Sequence, residues 1–437
     1  MNAVLSLFRD LPRSLLLILA LGAVLRVGVV LLHEQPLVSD ERDYDRLAVS
    51  IATTGSYSEN GLPTAYRPVG YPAFVGFVYF LAGHKPVVVK LFQALLDATV
   101  PLMLFLLLPV FERRTRILAA AFWAFYPPAV LYANLLLSES VFTFLLVLAT
   151  LLLVRSDQFK VWAFLLIGVL FGVMALIKGV ALIVLLLLPL AYLALRQPLR
   201  RVLWVGLGAL LLVIPWTVRN SVTLGYVGLS TNVGMDLLIG NNPNANGSYT
   251  SQIPDEIFQG ATSEAETNDR AFRYAVHYII EKPGMFVVNG IRKAAHLVES
   301  EGGILIWSFS GSREDSSIRY ASRYASLPVS AVLGVNLPYF ILLMAGILGL
   351  LGFPEPRLRW LFLVVLAAWL LIHLLFFGGS RMHFPLMPFF ALFAAWWFVN
   401  LPGSFLGLSA SRKTFGLVVV AGLVAVWAFE AVLIYLV

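Results

Sequence analysis

The chain has 437 residues, of which 59% are hydrophobic and only 13% are charged. Soluble domains carry about a quarter of charged residues, so this composition excludes a soluble globular enzyme, a disordered protein and a disulfide-stapled secreted module. It indicates an integral membrane protein with many helical spans. Because the chain has no cysteine, a thiolate nucleophile and a cysteine-ligated metal are also excluded. The formal net charge of +7 suggests basic cytoplasmic loops rather than nucleic-acid binding.

The first long apolar run, 15–32, follows Arg9 and Arg13 and is long enough for a full span. A cleaved signal peptide is the competing interpretation, but no Ala-x-Ala site follows, so we expect a retained first helix. The run 71–83 is short for a crossing of ~30 Å and predicts an interfacial or re-entrant helix. Further spans are predicted at 86–110, 117–134, 139–154, 161–177, 179–195, 202–216, 328–352, 360–377, 384–400 and 416–436.

The basic residues of the short loops test this count of eleven spans, because such loops remain in the cytoplasm. With eleven spans they all fall on the side of the N-terminus, at Arg9, Arg13, Arg113, Arg114, Arg116, Arg155, Lys160, Arg196, Arg200, Arg201, Arg357, Arg359, Arg412 and Lys413. If 71–83 also crossed, the loops from 111 onward would lie opposite the N-terminal arginines. The sequence therefore predicts an all-α polytopic membrane protein with a cytoplasmic N-terminus and an outer C-terminus.

Two large polar segments lie on the outer side in this topology, a first loop at 33–70 and a second at 217–327. Within the second, 262–300 has helical periodicity and predicts two helices broken at Lys282-Pro283. The stretch 225–250 is rich in Gly and Asn and predicts a loop or short strands. Three regions follow: an N-terminal transmembrane module at 1–216, a mixed outer loop region at 217–327 and C-terminal transmembrane helices at 328–437.

Charged residues at membrane level on the outer side are costly and often functional. The first group is Asp40, Glu41, Asp43 and Tyr44, where Ser39 or Asp40 can cap a short helix on the membrane surface. The acids are equally consistent with first-turn residues favoured by the helix dipole and with a carboxylate that acts as general base.

Other polar residues occupy the same outer side. Tyr66 and Arg67 precede the interfacial helix, and Arg67 and Lys85 could each bind a lipid phosphate or extend to the membrane surface. Glu139 stands in a very short outer turn, where we favour a functional residue over an N-cap acid. Basic or polar residues also occur here at Lys178, Arg219, Asn220, Arg381 and His383. Such cations, with acids at Asp40 and Glu139, suggest a site for a phosphate or pyrophosphate joined to a lipid.

Three further residues within the spans have simpler interpretations. Lys90 and Asp97 lie on one face of the second span and predict structural ion pairs, and His373 is predicted to be a core residue. The sequence has neither a Gly-rich phosphate loop nor a clustered set of metal ligands.

In order and in location, these motifs resemble those of bacterial polyprenyl-phosphate-sugar-dependent glycosyltransferases of the C-type membrane fold. The resemblance is to family 39 and to relatives of the lipid A aminoarabinose transferase and the protein O-mannosyltransferases. Asp40-Glu41 is similar to its Asp-Glu motif, and Ser138-Glu139 to the acid of its second outer loop. The remaining matches are Arg67-Pro68-Val69-Gly70-Tyr71-Pro72, Pro215-Trp216 with Arg219-Asn220, Gly240-Asn241-Asn242-Pro243, Lys282-Pro283 with Lys293, and Arg381 with Pro385 and Pro388.

The resemblance implies an inverting transfer of a sugar from an undecaprenyl- or other polyprenyl-phosphate carrier to a lipid, glycan or protein acceptor at the periplasmic face of a bacterial inner membrane. Asp40 is expected to be the general base, with Glu41 and Glu139 as further catalytic carboxylates. No cofactor is certain, and a divalent cation on Asp40 and Glu139 stays open. The region 1–216 would then be the catalytic module and 217–327 a periplasmic loop region. The substrate-binding residues implied are Asp43, Tyr44, Tyr66, Arg67, Lys85, Lys178, Arg219, Asn220, Arg381 and His383.

Three alternatives stay open at this point. A transporter or flippase of lipid-linked sugars explains the spans, but its site would lie near the midplane of the membrane rather than on one side. A non-enzymatic assembly factor for envelope polysaccharide is a second alternative. A polymerase or ligase of lipid-linked glycans is a third, although the early Asp-Glu pair favours the transferase.

Overall fold

The computed structural model describes residues 11–310, 322–401 and 403–435, so Arg9 lies outside the described residues. Seven helical stretches of the described residues are long and apolar enough to cross a membrane, judged by length and composition, and two of them, 86–107 and 380–399, combine successive shorter helices. They occupy 13–32, 86–107, 200–224, 329–352, 356–375, 380–399 and 410–434. Four shorter apolar helices occupy 70–82, 139–154, 161–177 and 180–194. The all-α membrane class is therefore confirmed, and the count of eleven spans stays a prediction.

The first half of the chain, up to Leu224, contains the first loop and the helices on either side of it. In chain order they are α1 (Arg13–Leu32), α2 (Asp40–Thr54), strands β1 (Ser58–Glu59) and β2 (Leu62–Pro63), α3 (Gly70–Ala82), α4 (Pro86–Ala98), α5 (Val100–Leu107), α6 (Arg113–Ala124), α7 (Pro127–Tyr132), α8 (Glu139–Val154), α9 (Val161–Ile177), α10 (Val180–Ala194) and α11 (Arg200–Leu224). The antiparallel strands are joined by Asn60 and Gly61, both with positive φ, as a tight hairpin requires.

The second half begins with the helices of the second loop. These are α12 (Val233–Gly240), α13 (Glu264–Glu281), α14 (Pro283–Leu297) and α15 (Gly302–Ser310). The last helices are α16 (Val329–Gly352), α17 (Pro356–Leu375), α18 (Ser380–His383), α19 (Met387–Val399), α20 (Gly403–Leu406) and α21 (Ala410–Tyr435). Short 3₁₀ turns occur at Ser156–Gln158, Asp255–Phe258 and Phe384–Leu386.

Prolines account for the main departure from the predicted spans. The expected span at 117–134 is two helices, α6 and α7, because Pro127 and Pro128 lack the N–H groups that a continuous helix needs. The expected span at 86–110 likewise contains two helices, α4 and α5, with Pro101 in the first turn of α5. Proline is accepted at such a position because the first-turn N–H groups have no partner within the helix.

Small residues allow the helices to approach closely. A Cβ atom on Gly168 of α9 would lie 2.1 Å from the carbonyl oxygen of Val205, and one on Gly208 of α11 would lie 2.1 Å from that of Leu165. The backbones of α9 and α11 are therefore in direct contact, which is the packing that glycines provide in membrane helices. This contact fixes α9, whose last residue immediately precedes Lys178.

A buried ion pair joins α1 to α4. The Arg26 side chain donates from Nε to Asp97 at 2.6 Å, and both side chains are fully buried. Asp97 also accepts a hydrogen bond from the Trp123 indole at 3.2 Å, and Arg26 donates to the carbonyl of Ala124 at 2.7 Å. The charges are thus satisfied within the helix bundle, where an unpaired ion would be very costly.

The two large loops lie at the same end of the helix bundle and contact each other, since Thr64 and the backbone N–H of Ala65 both donate to Glu264 at 2.7 Å. The short basic loops meet at the opposite end, where Arg357 donates to Asp157 at 2.7 Å. The basic loops and the large polar loops therefore lie at different ends of the bundle, and the number of spans between them stays a prediction.

Candidate active site

A cavity of about 910 Å³ lies at the end of the bundle that carries both large loops. Its wall is built from the start of α2, the segment before α3, the junction of α9 and α10, the region of α12, and the end of α17 with α18. Of the residues predicted for the site, Asp40, Asp43, Tyr44, Tyr66, Arg67, Lys178 and Arg381 line it. They come from positions up to 341 residues apart, so the fold has gathered them.

One continuous network of carboxylates and cations joins residues of the cavity wall to Glu139, which is buried behind the wall and does not line it. Arg67 Nη2 donates to Asp40 at 2.7 Å and to Asp43 at 2.7 Å. Arg381 donates from Nη1 to the other oxygen of Asp40 at 2.5 Å. It also donates from Nε to Glu139 at 2.5 Å, and Lys178 donates to the same Glu139 oxygen at 3.0 Å. Each arginine therefore bridges two carboxylates, and Asp40 joins the two arginines.

The cations of this network keep hydrogen-bond donors in reserve. Among the described residues, neither Nη1 of Arg67 nor Nη2 of Arg381 donates to any protein acceptor. Lys178 uses one of its three N–H groups, for Glu139. Guanidinium and ammonium donors at a cavity wall are suited to the oxygens of a phosphate.

Arg67 is held between aromatic rings as well as carboxylates. Its guanidinium carbon lies 5.2 Å from the ring centroid of Tyr66 and 5.9 Å from that of Tyr44. Burial alone would lower the pKa of Arg67, but Asp40 and Asp43 raise it above the ordinary value. Burial and the charge of Asp40 raise the pKa of Tyr44. Arg67 is therefore a permanent cation beside a neutral phenol.

Glu41 is buried behind the cavity and does not line it. Its carboxylate accepts hydrogen bonds from the backbone N–H of Leu136 at 2.8 Å and of Val38 at 3.3 Å, and from the Trp307 indole at 3.0 Å. These donors come from three separate parts of the chain. The geometry therefore gives Glu41 the position of a support for α2, next to Asp40.

The structure does not bring four of the predicted binding residues to the cavity wall. Arg219 donates to the carbonyls of Thr64 and Tyr57, and Asn220 donates to that of Gly228, so both hold loops together. Lys85 is exposed at the start of α4.

His383 is the fourth, and it is buried. Its ring nitrogens face the carbonyl of Leu297 at 2.8 Å and the carboxylate of Glu301 at 3.1 Å. The polar groups of Arg219, Asn220 and His383 therefore bond to the protein itself, and the ammonium group of Lys85 faces solvent.

Several residues of the wall have no role in the sequence-based prediction. His373 was expected in the core, but it lines the cavity from α17, together with Trp369 and Phe376. Trp307 lies beneath Arg381, with 5.5 Å between the guanidinium carbon and the ring centroid. Asp236 enters from α12, a helix inside the stretch that was predicted as loop or strands. The predicted alternation of spans and loops contains no signal for these residues, because only the folded chain brings them together.

The residues that could hold a divalent cation do not fit one. Both oxygens of Asp40 accept from guanidinium groups, and one oxygen of Glu139 accepts from two cations. Within residues 11–310, 322–401 and 403–435 there is no cluster of three or more acidic or histidine side chains suited to a metal. The carboxylates of this site are neutralised by protein cations, and no step is derived through a metal.

The chain is similar to known proteins both in a family motif region and in its fold. Residues 66–218 match the family model of dolichyl-phosphate-mannose-protein mannosyltransferases, which is about a third of the chain. No curated protein sequence matches the chain.

Solved structures give a broader likeness. The apo oligosaccharyltransferase of Archaeoglobus fulgidus shares 15% identity at a TM-score of 0.51, over 93% of this chain and 54% of that one. Its complex with zinc and sulfate gives 16% identity, 94% and 52% coverage and a TM-score of 0.50. The chain has the C-type glycosyltransferase fold. It spans about half the length of these structures.

ArnT from Cupriavidus metallidurans, bound to undecaprenyl phosphate, matches at 13% identity, 89% and 78% coverage and a TM-score of 0.42. The family match and the shared fold confirm the resemblance that was predicted from the sequence.

Proposed function

We propose that the chain is a membrane glycosyltransferase that moves a sugar from a polyprenyl-phosphate carrier to an acceptor hydroxyl group. The observation that carries this proposal is the joining of Asp40 and Glu139 to Arg67, Lys178 and Arg381 at one cavity. The family match and the fold support it, because the matched family is named for a lipid-phosphate-linked sugar.

The cations form the phosphate part of the site. In the transfer, the bond between the sugar C1 and the phosphate oxygen breaks, and its electron pair stays on the phosphate. Arg67, Lys178 and Arg381 have donors free to stabilise that charge as it develops. Each keeps a carboxylate partner meanwhile, so the network remains neutralised when a donor N–H turns toward the phosphate.

The carboxylates provide the base. The acceptor oxygen forms the new bond to C1 from the opposite face, which inverts the anomeric centre, and its proton passes to Asp40. A carboxylate offers about four lone-pair directions, so Asp40 can accept this proton while it holds both arginines. Glu139, with only 1% of its side chain exposed, orients Arg381 and Lys178.

An apolar wall accounts for the lipid part of the donor. Ala175 and Ile177 at the end of α9, Trp369 and Ile372 of α17, and Phe376 just after α17 border the same cavity. Side chains of this kind suit an isoprenoid chain that lies between helices with its headgroup at the membrane surface. We place this end of the bundle at the periplasmic face of a bacterial inner membrane, with a lipid, glycan or protein as acceptor.

The direct test is transfer by the purified full-length protein in lipid nanodiscs. Polyprenyl phosphates that carry radiolabelled sugars are supplied with envelope lipids, glycans and peptides, and covalent product is measured. We expect a labelled acceptor together with an equal amount of released polyprenyl phosphate. If no acceptor is labelled, and the carrier instead crosses the bilayer of proteoliposomes intact, the protein is a flippase and the proposal is wrong.

A further inference from the structure

The cavity has a third wall that the phosphate and lipid parts of the site leave unused. It is formed by the second loop and presents Ser230, Asn232, Asp236, Thr250 and Ser251. Tyr226 and Tyr249 stand beside them. Apart from Asp236 these polar side chains are uncharged, in contrast to those of the cationic wall, and apolar side chains such as Met235 and Ile253 lie between them.

Asp236 is held firmly at the centre of this wall. Asn232 donates to its Oδ2 at 3.1 Å, and Ser230 donates to the Asn232 side chain at 2.6 Å. The helix that carries it is fixed on α13, since the N–H of Gly234 donates to Asn268 at 2.6 Å. No described residue donates to Oδ1 of Asp236, and this residue borders the cavity.

We propose that this wall binds the transferred sugar, and that Asp236 forms a hydrogen bond with a hydroxyl group of a sugar that has no carboxylate. The inference rests on the proposed function. A hydroxyl group needs both a donor and an acceptor, which the hydroxyl and amide side chains of this wall supply. Aromatic rings with a few fixed polar groups are typical of a site that orients a small ligand.

The charge around Asp236 supports an uncharged sugar. The charged groups that act on Asp236 are Arg67, Asp40 and Lys178. Burial raises the pKa of Asp236 to about 7, with Asp40 acting in the same direction and Arg67 and Lys178 in the opposite one. The carboxyl group can therefore donate as well as accept near neutral pH. A uronic acid would bring a further carboxylate beside Asp236 and Asp40, while the cations are occupied by the phosphate.

The test compares lipids that differ only in the sugar. Wild-type protein, Asp236→Ala, Asp236→Asn and the control Asp269→Asn, an exposed position on α13, are purified in nanodiscs. Affinity is measured for undecaprenyl phosphate alone, and for the same carrier with glucose, mannose, galactose or glucuronic acid. Wild-type protein is expected to bind at least one neutral sugar carrier more tightly than the bare carrier, and to disfavour the glucuronate.

In Asp236→Ala the affinity for the preferred sugar carrier should fall about tenfold, which corresponds to the loss of one hydrogen bond. The affinity for the bare carrier should not change. Asp236→Asn should keep most of the gain because its amide still donates and accepts. If Asp236→Ala keeps the full preference for the sugar, or if the wild type prefers glucuronate, this inference is overturned while the proposed function still stands. If the bare carrier and all the sugar carriers fail to bind to wild-type protein, the proposed function fails, and the inference fails with it.

Discussion

Arg381 is the residue on which the arrangement of charges depends. It bridges Asp40 and Glu139, and its own side chain is 13% exposed. Glu139 is almost fully enclosed, and one of its oxygens has no partner among the described residues. Removing the guanidinium would leave Lys178 as the one cation bound to Glu139. Breaking a buried pair in this way costs more than the pair contributes, because the remaining charge stays buried.

We therefore expect Arg381→Ala to lower the free energy of unfolding by about 3 kcal/mol. Arg381→Ala combined with Glu139→Gln should lose less than the sum of the two single changes, since the uncompensated charge is gone. Thermal unfolding in detergent measures both effects. The matched surface pair, Arg273 with Asp269 at 78% and 53% exposure, should show almost no coupling. Additive losses at Arg381 and Glu139 would contradict the role of the network.

Asp40 is distinguished from the other acids of α2 by its position. It lines the cavity with both oxygens on arginines, whereas Asp45 of the same helix accepts from Tyr79 at 2.5 Å and from His84. We predict that Asp40→Asn lowers transfer at least about 100-fold, the usual contribution of a general base. Binding of undecaprenyl phosphate should change only a few-fold, because the cations remain. Near-native transfer by Asp40→Asn, or an equal loss in Asp45→Asn, would show that Asp40 is not the base.

Among the elements, the close contact between α9 and α11 constrains one side of the cavity. Lys178 directly follows α9, so any separation of the two helices would move a cation of the site. A methyl group at Gly168 has no room, because it would meet the backbone of α11. Gly206 is on the same helix pair, yet nothing lies within 4 Å of a Cβ atom there.

Gly168→Ala is expected to destabilise the protein by roughly 1–3 kcal/mol, as overpacking does. Gly206→Ala should be neutral or slightly stabilising, since alanine favours a helix more than glycine. Thermal unfolding of the two variants, with transfer measured at a temperature where both are folded, provides the comparison. Equal stability of the two variants would mean that the contact does not constrain the helices.

Several elements could be predicted from the sequence because their signals are local. The interfacial run expected at 71–83 is α3, and the break at Lys282-Pro283 separates α13 from α14. The helix α12 could not be predicted from the sequence, because its eight residues are flanked by glycines and asparagines, which favour turns. It is held by tertiary contacts with α13. Its carboxyl group, Asp236, was therefore missing from the predicted site.

The site itself was predictable only in part. Residues next to the ends of predicted spans, such as Asp40, Arg67 and Lys178, lie at one end of the bundle, as the predicted topology requires. Topology does not say which of them meet. Arg219 and His383 lie at the same end of the bundle, yet their partners are carbonyls and a buried acid. Such choices depend on side-chain packing, for which charge and periodicity have no signal.

The predicted topology of the whole molecule can be tested by labelling single introduced cysteines, because the chain has no cysteine of its own. A single cysteine at Asp269, which is exposed on α13, should react with a membrane-impermeant maleimide in intact cells. A cysteine at Arg114, exposed at the start of α6, should react only after the membrane is permeabilised. Wild-type protein provides the unlabelled background. The reverse pattern would mean that the cavity faces the cytoplasm.

The claim on which the account depends is that the cations and carboxylates of this cavity bind the phosphate of a polyprenyl carrier. Cryo-electron microscopy of the protein in nanodiscs with undecaprenyl phosphate tests it most directly. We predict a phosphate within hydrogen-bond distance of at least two of Arg67, Lys178 and Arg381, with the isoprenoid chain along Trp369 and Ile372. A phosphate bound at the opposite end of the bundle, or one in contact with none of these cations, would contradict the account.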